Sequence, residues 1–284
     1  QKNLGTIKCS NLCSEIIEYT SEDEIAVCNL ASICLPTFLV NNNGAYTYNF
    51  EKLGYVVRVC VRNLNKVIDI NYYPTVETKK SNLKHRPIGI GVQGLADVFN
   101  IMEIPFGSDK ARELNKQIFE TMYYNALDES CELAKKTGKY ESFDNSPFSQ
   151  GLLQWNLWGL KKENLTMGYD WDTLIKKIKT HGTKNSLLTT IMPTASTSQI
   201  MGFSECIEPY MSNIYTRSTL AGEFSVINEN LVKSLIKRNL WSDDTRKKIV
   251  AFKGSIQKIP EIPKDLKEIF KTASEVYQKD IITL

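Results

Sequence analysis

Three residues near the start of the chain have the side chains of a compact reaction site. Asn11, Cys13 and Glu15 alternate along the sequence, and Cys28 follows in the next segment. Side chains of an extended backbone repeat with period two, so this spacing predicts an amide, a thiol and a carboxyl on one side. A thiol can act as a nucleophile or redox centre, a carboxylate can accept a proton, and an amide can hold a polar substrate. The alternative is that Cys13 is an ordinary buried residue, as most cysteines are.

The cysteines indicate neither a disulfide framework nor a zinc site. Seven of them are scattered over 284 residues, unlike the dense, even sets of small secreted domains. Cys9, Cys13, Cys28 and Cys34 lack the paired CxxC spacing of structural zinc sites, and no histidine lies nearby. His85 lies between two basic residues and is predicted to be an exposed polar residue. We therefore expect reduced thiols and no metal bound by this chain.

Composition and charge exclude several classes of function. The formal net charge is +3 with lysine and glutamate interspersed, so neither nucleic acid nor an anionic membrane is an expected partner. No apolar run approaches the roughly 20 residues of a membrane helix, and the N-terminus lacks the pattern of a signal peptide. These features favour a cytoplasmic protein. The chain begins with Gln1 rather than methionine, which predicts that it is a piece of a longer protein.

Short apolar strands alternate with amphipathic helices, which predicts an α/β fold with residues 1–284 in a single domain. Residues 1–20 are predicted to form an extended loop, and residues 25–35 a buried strand. Helices are predicted from apolar periodicity and helix-end signals over residues 48–68, 95–102, 108–136, 170–181, 228–239, 243–252 and 264–281.

Gly89, Gly91 and Gly94 match the letters of a dinucleotide-binding turn. That motif also requires a preceding buried strand and an acidic residue about 20 residues further on. Only the short segment 86–88 is available to form the required strand before Gly89. Asp109, the acidic residue at the required distance, has the position of a helix start. A nicotinamide-dependent oxidoreductase is therefore the weaker alternative. Close backbone packing of a short strand that leads into a helix is the favoured interpretation.

A second candidate site follows Pro193, at Thr194, Ala195, Ser196 and Thr197. A strand-like run before the proline and an apolar continuation afterwards indicate a strand-to-helix turn. A helix start presents unpaired backbone N–H groups and the positive end of the dipole, and short side chains let a phosphate approach. A simple hydroxyl helix cap fits the same residues equally well. These residues alone leave both interpretations open.

Several long motifs resemble the large catalytic subunit of eukaryotic-type class I ribonucleotide reductases, in that family's order. They are residues 6–16, 26–32, 85–97, 193–197, 207–210 and 213–217. The resemblance covers essentially the whole chain and implies the family's ten-stranded α/β barrel, built from two half-barrels. This chain would hold the finger loop, at about residues 5–20, and the second half-barrel with its surrounding helices.

The resemblance implies radical-based reduction of ribonucleoside diphosphates to deoxyribonucleoside diphosphates, the precursors of DNA. By similarity, Cys13 is the transient thiyl radical that abstracts the ribose 3′ hydrogen, and Glu15 accepts the 3′-hydroxyl proton. Asn11 holds the sugar, and Ser10 is a further substrate-binding residue. Cys28 is one of two thiols that reduce the 2′ position and end as a disulfide. Its partner thiol would belong to the half-barrel absent here.

The same resemblance decides for diphosphate binding at residues 194–197. It also implies a diiron-tyrosyl small subunit that supplies the radical, a thioredoxin- or glutaredoxin-type reductant, and a large-subunit homodimer or higher oligomer. ATP and deoxynucleotide effectors would bind regions absent from this chain. Since the second reducing thiol and the family's C-terminal tyrosine pair are also absent, the isolated chain is expected to be inactive. The rival class is a non-catalytic interaction or structural α/β domain, in which the residues of the first site would diverge in space.

Overall fold

A computed structural model describes residues 1–284 of the chain. By its internal contacts the chain divides into two compact units, which are described separately. Unit 1 comprises Gln1–Ile33, Asn49–Val92 and Lys116–Thr194, and unit 2 comprises Cys34–Tyr48, Gln93–Asn115 and Ala195–Leu284. Both units contain helices and strands, which confirms the predicted mixed α/β class. The prediction that all of the residues form one domain stays a prediction.

Six strands form three two-stranded sheets, in which β1 pairs with β4, β2 with β3 and β5 with β6. The strands are β1 (Leu30–Cys34), β2 (Leu39–Asn42), β3 (Ala45–Tyr48), β4 (Gly89–Gln93), β5 (Ile214–Thr219) and β6 (Gly222–Ile227). The helices are α1 (Phe50–Ile70), α2 (Val76–His85), α3 (Leu95–Ile101), α4 (Asp109–Thr137), α5 (Gln154–Leu157), α6 (Trp171–His181), α7 (Thr197–Met201), α8 (Glu229–Lys237), α9 (Asp243–Ala251), α10 (Lys264–Ile269) and α11 (Gln278–Ile282). None of these helices is long and apolar enough to cross a membrane.

The helices of unit 1 confirm the periodicity from which they were predicted. Helix α1 begins after Asn49, whose side chain accepts the Lys52 N–H at 2.8 Å, so a free N–H of the first turn is satisfied. Its buried apolar residues recur every three or four positions, as an amphipathic helix requires; they are Leu53, Val57, Val61, Leu64 and Ile68. Helix α6 is capped by Asp170 and ends at Gly182, as its sequence predicted.

Strand β4 is buried at all five positions, and its glycines are in contact with neighbouring backbone and side chains. A methyl group on Gly89 would lie 2.6 Å from a Thr190 side-chain carbon, and one on Gly91 would lie 2.7 Å from the Thr190 carbonyl oxygen. Ile90 forms a parallel bridge with Thr189 on the same side. Protein therefore fills the space that a dinucleotide would need, which favours the packing interpretation of the glycines over a cofactor turn.

Unit 2 has a core of its own, and one helix predicted in it differs from the structure. One core cluster of unit 2 comes from α8, α9, α10 and the turns between them, and it includes Leu231, Leu235, Ile249 and Phe270. The helix predicted over residues 264–281 is wrong, because α10 and α11 are two short helices. The Thr272 N–H donates instead to the Glu275 carboxylate at 2.8 Å, which ends the helical hydrogen-bond pattern between them.

Substitution of the β4 glycines tests this packing. We expect Gly91→Ala to lower the free energy of unfolding by about 1 to 3 kcal/mol, because a backbone oxygen cannot move away from the added methyl. Gly89→Ala is the matched control, and we expect it to cost less, since the atoms near it are ends of the Thr190 and Leu30 side chains. Urea unfolding of both variants measures the difference. Equal losses would contradict the assignment of a backbone clash at Gly91.

Candidate active site

The first candidate site lies in a loop without helix or strand, residues 9–28, which we call the cysteine loop. Its backbone turns where an extended segment was predicted. The Ser14 N–H donates to the Asn11 carbonyl at 3.2 Å, and Ser14 has a left-handed φ of 59°. The Asn11 side chain accepts the Ile16 N–H at 3.3 Å. The predicted alternation of side chains about a straight strand is therefore wrong, because these hydrogen bonds close a turn.

The turn leaves its tip open to solvent. Cys13 is exposed and Leu12 is 99% exposed, whereas Asn11 and Glu15 are half-buried. The Ser10 hydroxyl lies 3.2 Å from the Ser14 hydroxyl, also at the surface. Cys13 is therefore not the buried apolar residue that the alternative interpretation required.

Cys28 shares an electrostatic environment with the turn. Partial burial, followed by the charges of Glu18, Glu15 and Cys13, raises the pKa of the Cys28 thiol to about 11. Cys28 nevertheless keeps contact with solvent, so a reagent can reach it. Cys13, Glu15 and Cys28 are thus close enough for their charges to interact, while the Asn11 side-chain oxygen is bonded to the loop backbone. The chemical roles of these residues stay predictions.

Buried side-chain hydrogen bonds on both sides of Cys28 hold its segment against α2. On one side, the Glu24 carboxylate bonds to Lys84 Nζ and to His85 Nε2, each at 2.5 Å. On the other side, the Asn29 amide donates to the Asn82 side chain at 2.7 Å. The predicted strand therefore begins only at Leu30, because the residues before it are fixed by side chains rather than by strand pairing.

The prediction that His85 is exposed is wrong. Only 1% of its surface is accessible, because the last turn of α2 packs it between Glu24 and Ser142, whose hydroxyl lies 2.6 Å from Nδ1. Burial lowers the pKa of His85 despite the adjacent carboxylate. Burial also opposes ionisation of Glu24, but its hydrogen bonds to Lys84 and His85 outweigh this effect and lower the pKa of the carboxyl.

Glu18 is the residue of this site that the sequence analysis missed. It is 6% exposed, and its Oε1 atom is buried without a hydrogen-bond partner. Burial raises the pKa of its carboxyl to about 8, against a weaker interaction with the backbone of Val27. Glu18 does not fit the period-two pattern of the other site residues, since it stands three residues after Glu15. Its place in the apolar run Ile16–Tyr19 was the available signal of a buried charge.

The second candidate site is a turn that leads into α7. Thr194 is buried with a left-handed φ of 55°, and Ala195, Ser196 and Thr197 are exposed. Ser196 stands at the helix start, but its hydroxyl makes no capping hydrogen bond. The Thr197 hydroxyl donates instead to the Gln93 side chain at 2.9 Å. The simple hydroxyl cap is therefore wrong for Ser196, and phosphate binding here stays a prediction.

Comparison with known proteins gives one consistent result. Residues 1–284 match the family described as the ribonucleotide reductase barrel domain. The ribonucleoside-diphosphate reductase large chain of Schizosaccharomyces pombe is 56% identical over 99% of this chain and 34% of its own length. The large subunit from Plasmodium falciparum is 57% identical over 100% of this chain and 35% of its own length. The class Id ribonucleotide reductase alpha subunit of Actinobacillus ureae superposes with a TM-score of 0.70 at 28% identity, covering 99% of this chain and 45% of that structure.

The raised pKa of Glu18 predicts a pH-dependent stability. Between the ordinary carboxyl pKa of 4.5 and the raised value of about 8, the folded chain keeps a proton that the unfolded chain releases. The free energy of unfolding therefore falls as pH rises through this range, by at most about 1.4 kcal/mol per pH unit. We expect Glu18→Gln to remove this decrease.

Urea unfolding of this chain at about pH 5 and about pH 8 measures the effect. Glu22→Gln is the matched control, because Glu22 is an exposed carboxylate of the same loop and its removal should leave the slope unchanged. The same pH dependence in the Glu18→Gln variant and the unmodified chain would show that Glu18 ionises normally.

Proposed function

The chain belongs to the ribonucleotide reductase barrel-domain family, and from this we propose that it is part of a large subunit that reduces ribonucleoside diphosphates. The observation that carries the proposal is the grouping of Cys13, Glu15 and Cys28, whose charges interact in one loop. The chain spans 34% and 35% of the length of the two relatives described above. The activity is therefore assigned to the longer protein, and we expect the isolated chain to be inactive.

The five candidate site residues of the cysteine loop have roles that fit their chemistry. A thiyl radical at Cys13 takes the hydrogen atom from C3′ of the ribose, and Glu15 accepts the proton of the 3′ hydroxyl; both are returned to the sugar at the end of the turnover, which regenerates the radical at Cys13. Asn11 and Ser10 hold the sugar. Cys28 and a second thiol supply two electrons and two protons, so the 2′ hydroxyl leaves as water and the two sulfurs form a disulfide.

The protonation state of Cys28 supports its role in this scheme. With a pKa of about 11, Cys28 is a thiol and not a thiolate at neutral pH. A reducing thiol must carry the hydrogen that leaves with the 2′ oxygen.

The exposure of Cys13 and Leu12 requires a cover in the complete protein, because a radical intermediate must be shielded from side reactions. The β1–β4 sheet has only two strands, and Ile90 of β4 also forms a bridge with Thr189, so the edge without a strand partner is that of β1. We propose that the remaining strands of the family's ten-stranded barrel pair here and enclose the cysteine loop. The complete cytoplasmic enzyme would take its radical from a diiron-tyrosyl small subunit and its electrons from a thioredoxin- or glutaredoxin-type reductant. Large subunits would associate as a dimer or higher oligomer that binds ATP and deoxynucleotide effectors outside this chain.

The turn at residues 194–197 is proposed to bind the substrate diphosphate. Ala195, Ser196 and Thr197 are exposed, and none carries a long side chain that would keep a phosphate from the backbone. The Ser196 hydroxyl is not used as a helix cap, so it can donate to a phosphate oxygen.

Replacement of Cys13 tests the radical assignment. In the full-length subunit with its small subunit, we expect Cys13→Ser to abolish deoxynucleotide formation, because an oxygen-centred radical cannot be formed there under the same conditions. Cys9→Ser is the matched control, since Cys9 is an exposed cysteine of the same loop with no assigned role, and it should retain activity. Measurable reduction by the Cys13→Ser variant would overturn the assignment and favour the rival class of a non-catalytic domain.

Replacement of Ala195 tests the phosphate site. We expect Ala195→Glu to weaken diphosphate binding at least about tenfold, since a carboxylate would repel the anion at close range. Ala221→Glu makes the same change at an exposed position of the β5–β6 turn and should leave binding unchanged. Equilibrium binding of a ribonucleoside diphosphate to each full-length variant gives the comparison. Unchanged affinity in folded Ala195→Glu protein would remove the turn from the substrate site.

A further inference from the structure

Glu18 is a buried carboxyl placed beside the segment that ends at Cys28. Its side chain interacts with the backbone of Val27, the residue directly before Cys28. Its Oε1 atom is buried and has no hydrogen-bond partner among the protein atoms. Among the charges that act on the Cys28 thiol, that of Glu18 has the largest effect. The carboxyl is therefore close to the thiol, and one of its oxygens is uncommitted.

Glu18 and Glu24, the two buried acids of the cysteine loop, have different partners. Glu24 is held as a carboxylate by Lys84 and His85. No cation pairs with Glu18, and its pKa is set by burial and by the backbone of Val27. With a pKa of about 8, Glu18 is protonated in most molecules at neutral pH. A carboxyl in this state suits proton donation near the operating pH.

The proposed reaction creates a need for such a proton. After each turnover Cys28 is part of a disulfide, which a dithiol reductant must open. Thiol–disulfide exchange is slow when the leaving thiol has a high pKa, because the departing thiolate is then poorly stabilised. The pKa of Cys28 is about 11. An acid that protonates the sulfur as it leaves would remove this obstacle.

We propose that Glu18 is the general acid that returns a proton to Cys28 when its disulfide is reduced, an inference that rests on the proposed function. The thiolate of the dithiol reductant attacks the sulfur paired with Cys28 and forms a new S–S bond with it. The original S–S bond breaks, and its electron pair moves to Cys28 Sγ. The Glu18 proton transfers to this sulfur, and the resulting carboxylate regains a proton from water. The second thiol of the reductant, as its thiolate, then displaces the paired sulfur, which takes up a proton, and the reductant leaves as a disulfide.

The proposal separates two measurements on the full-length large subunit with its small subunit. Glu18→Gln keeps the size of the side chain and an oxygen that can face the Val27 backbone, but has no acidic proton. We expect a single turnover of the pre-reduced variant to proceed within about twofold of the normal rate. Steady-state turnover with a dithiol reductant should fall at least about 100-fold, the low end of what loss of a general acid typically costs. Rapid-quench counting of free thiols should show that the Cys28 disulfide accumulates.

Two further variants make the result decisive. Glu18→Met removes the carboxyl without adding a polar atom, so it relieves an unpaired buried group and keeps the protein folded. It should show the same split between single and steady-state turnover. Glu22→Gln, at an exposed carboxylate of the same loop, should change neither rate.

The outcomes separate this inference from the proposed function. Normal steady-state turnover of either Glu18 variant would overturn the inference. Loss of the single turnover as well would also overturn it, because Glu18 would then position the loop rather than supply a proton. Cys28→Ser tests the proposed function itself, and normal cycling of that variant would remove Cys28 from the reducing pair. If Cys28→Ser fails to cycle while Glu18→Gln cycles normally, only the inference about Glu18 fails.

Discussion

The segment of residues 24–29, which contains Cys28, is attached to α2, and the candidate site depends on this constraint. No helix or strand forms before Leu30, so the backbone there has no regular hydrogen-bond pattern to hold it. Buried bonds from Glu24 to Lys84 and His85, and from Asn29 to Asn82, supply the missing restraint. Because hydrogen bonds in a buried setting are costly to leave unmade, they fix the segment between them. Cys28 thereby has a defined place without belonging to an element of secondary structure.

The parts of the fold that could be predicted from the sequence are those determined by local chemistry. Helix α1 needs only an apolar stripe and a capping asparagine, and α6 needs only Asp170 before it and Gly182 after it. The glycines of β4 were also interpreted correctly, since the residues around them do not complete a dinucleotide motif. In each case the signal and the structure lie within a few residues of one another.

The errors have the opposite origin, because each depends on a partner distant in sequence or on a choice between local bonds. His85 is buried by Glu24 and Ser142, which no pattern around the histidine reveals. The cysteine loop turns because the Asn11 carbonyl and side chain accept hydrogen bonds from the Ser14 and Ile16 N–H groups. In a strand these N–H groups would instead donate to a neighbouring strand. The residue types of the candidate site could be chosen from their chemistry and the family resemblance. Their geometry could not, since spacing predicted a straight backbone.

Glu18 and Glu24 show how one short segment can give the same side chain two states. Both are almost fully buried, and desolvation raises the pKa of both carboxyls. Hydrogen bonds from two partners on α2, the Lys84 ammonium and the His85 imidazole, reverse this effect for Glu24, which becomes a charged anchor. Glu18 faces no cation and retains its proton under ordinary conditions. The Glu24 carboxyl must be ionised to hold Lys84, whereas the Glu18 carboxyl must be protonated to donate a proton. The hydrogen-bond partners that α2 gives to Glu24 and not to Glu18 therefore separate the group that holds the cysteine loop from the group that can exchange a proton within it.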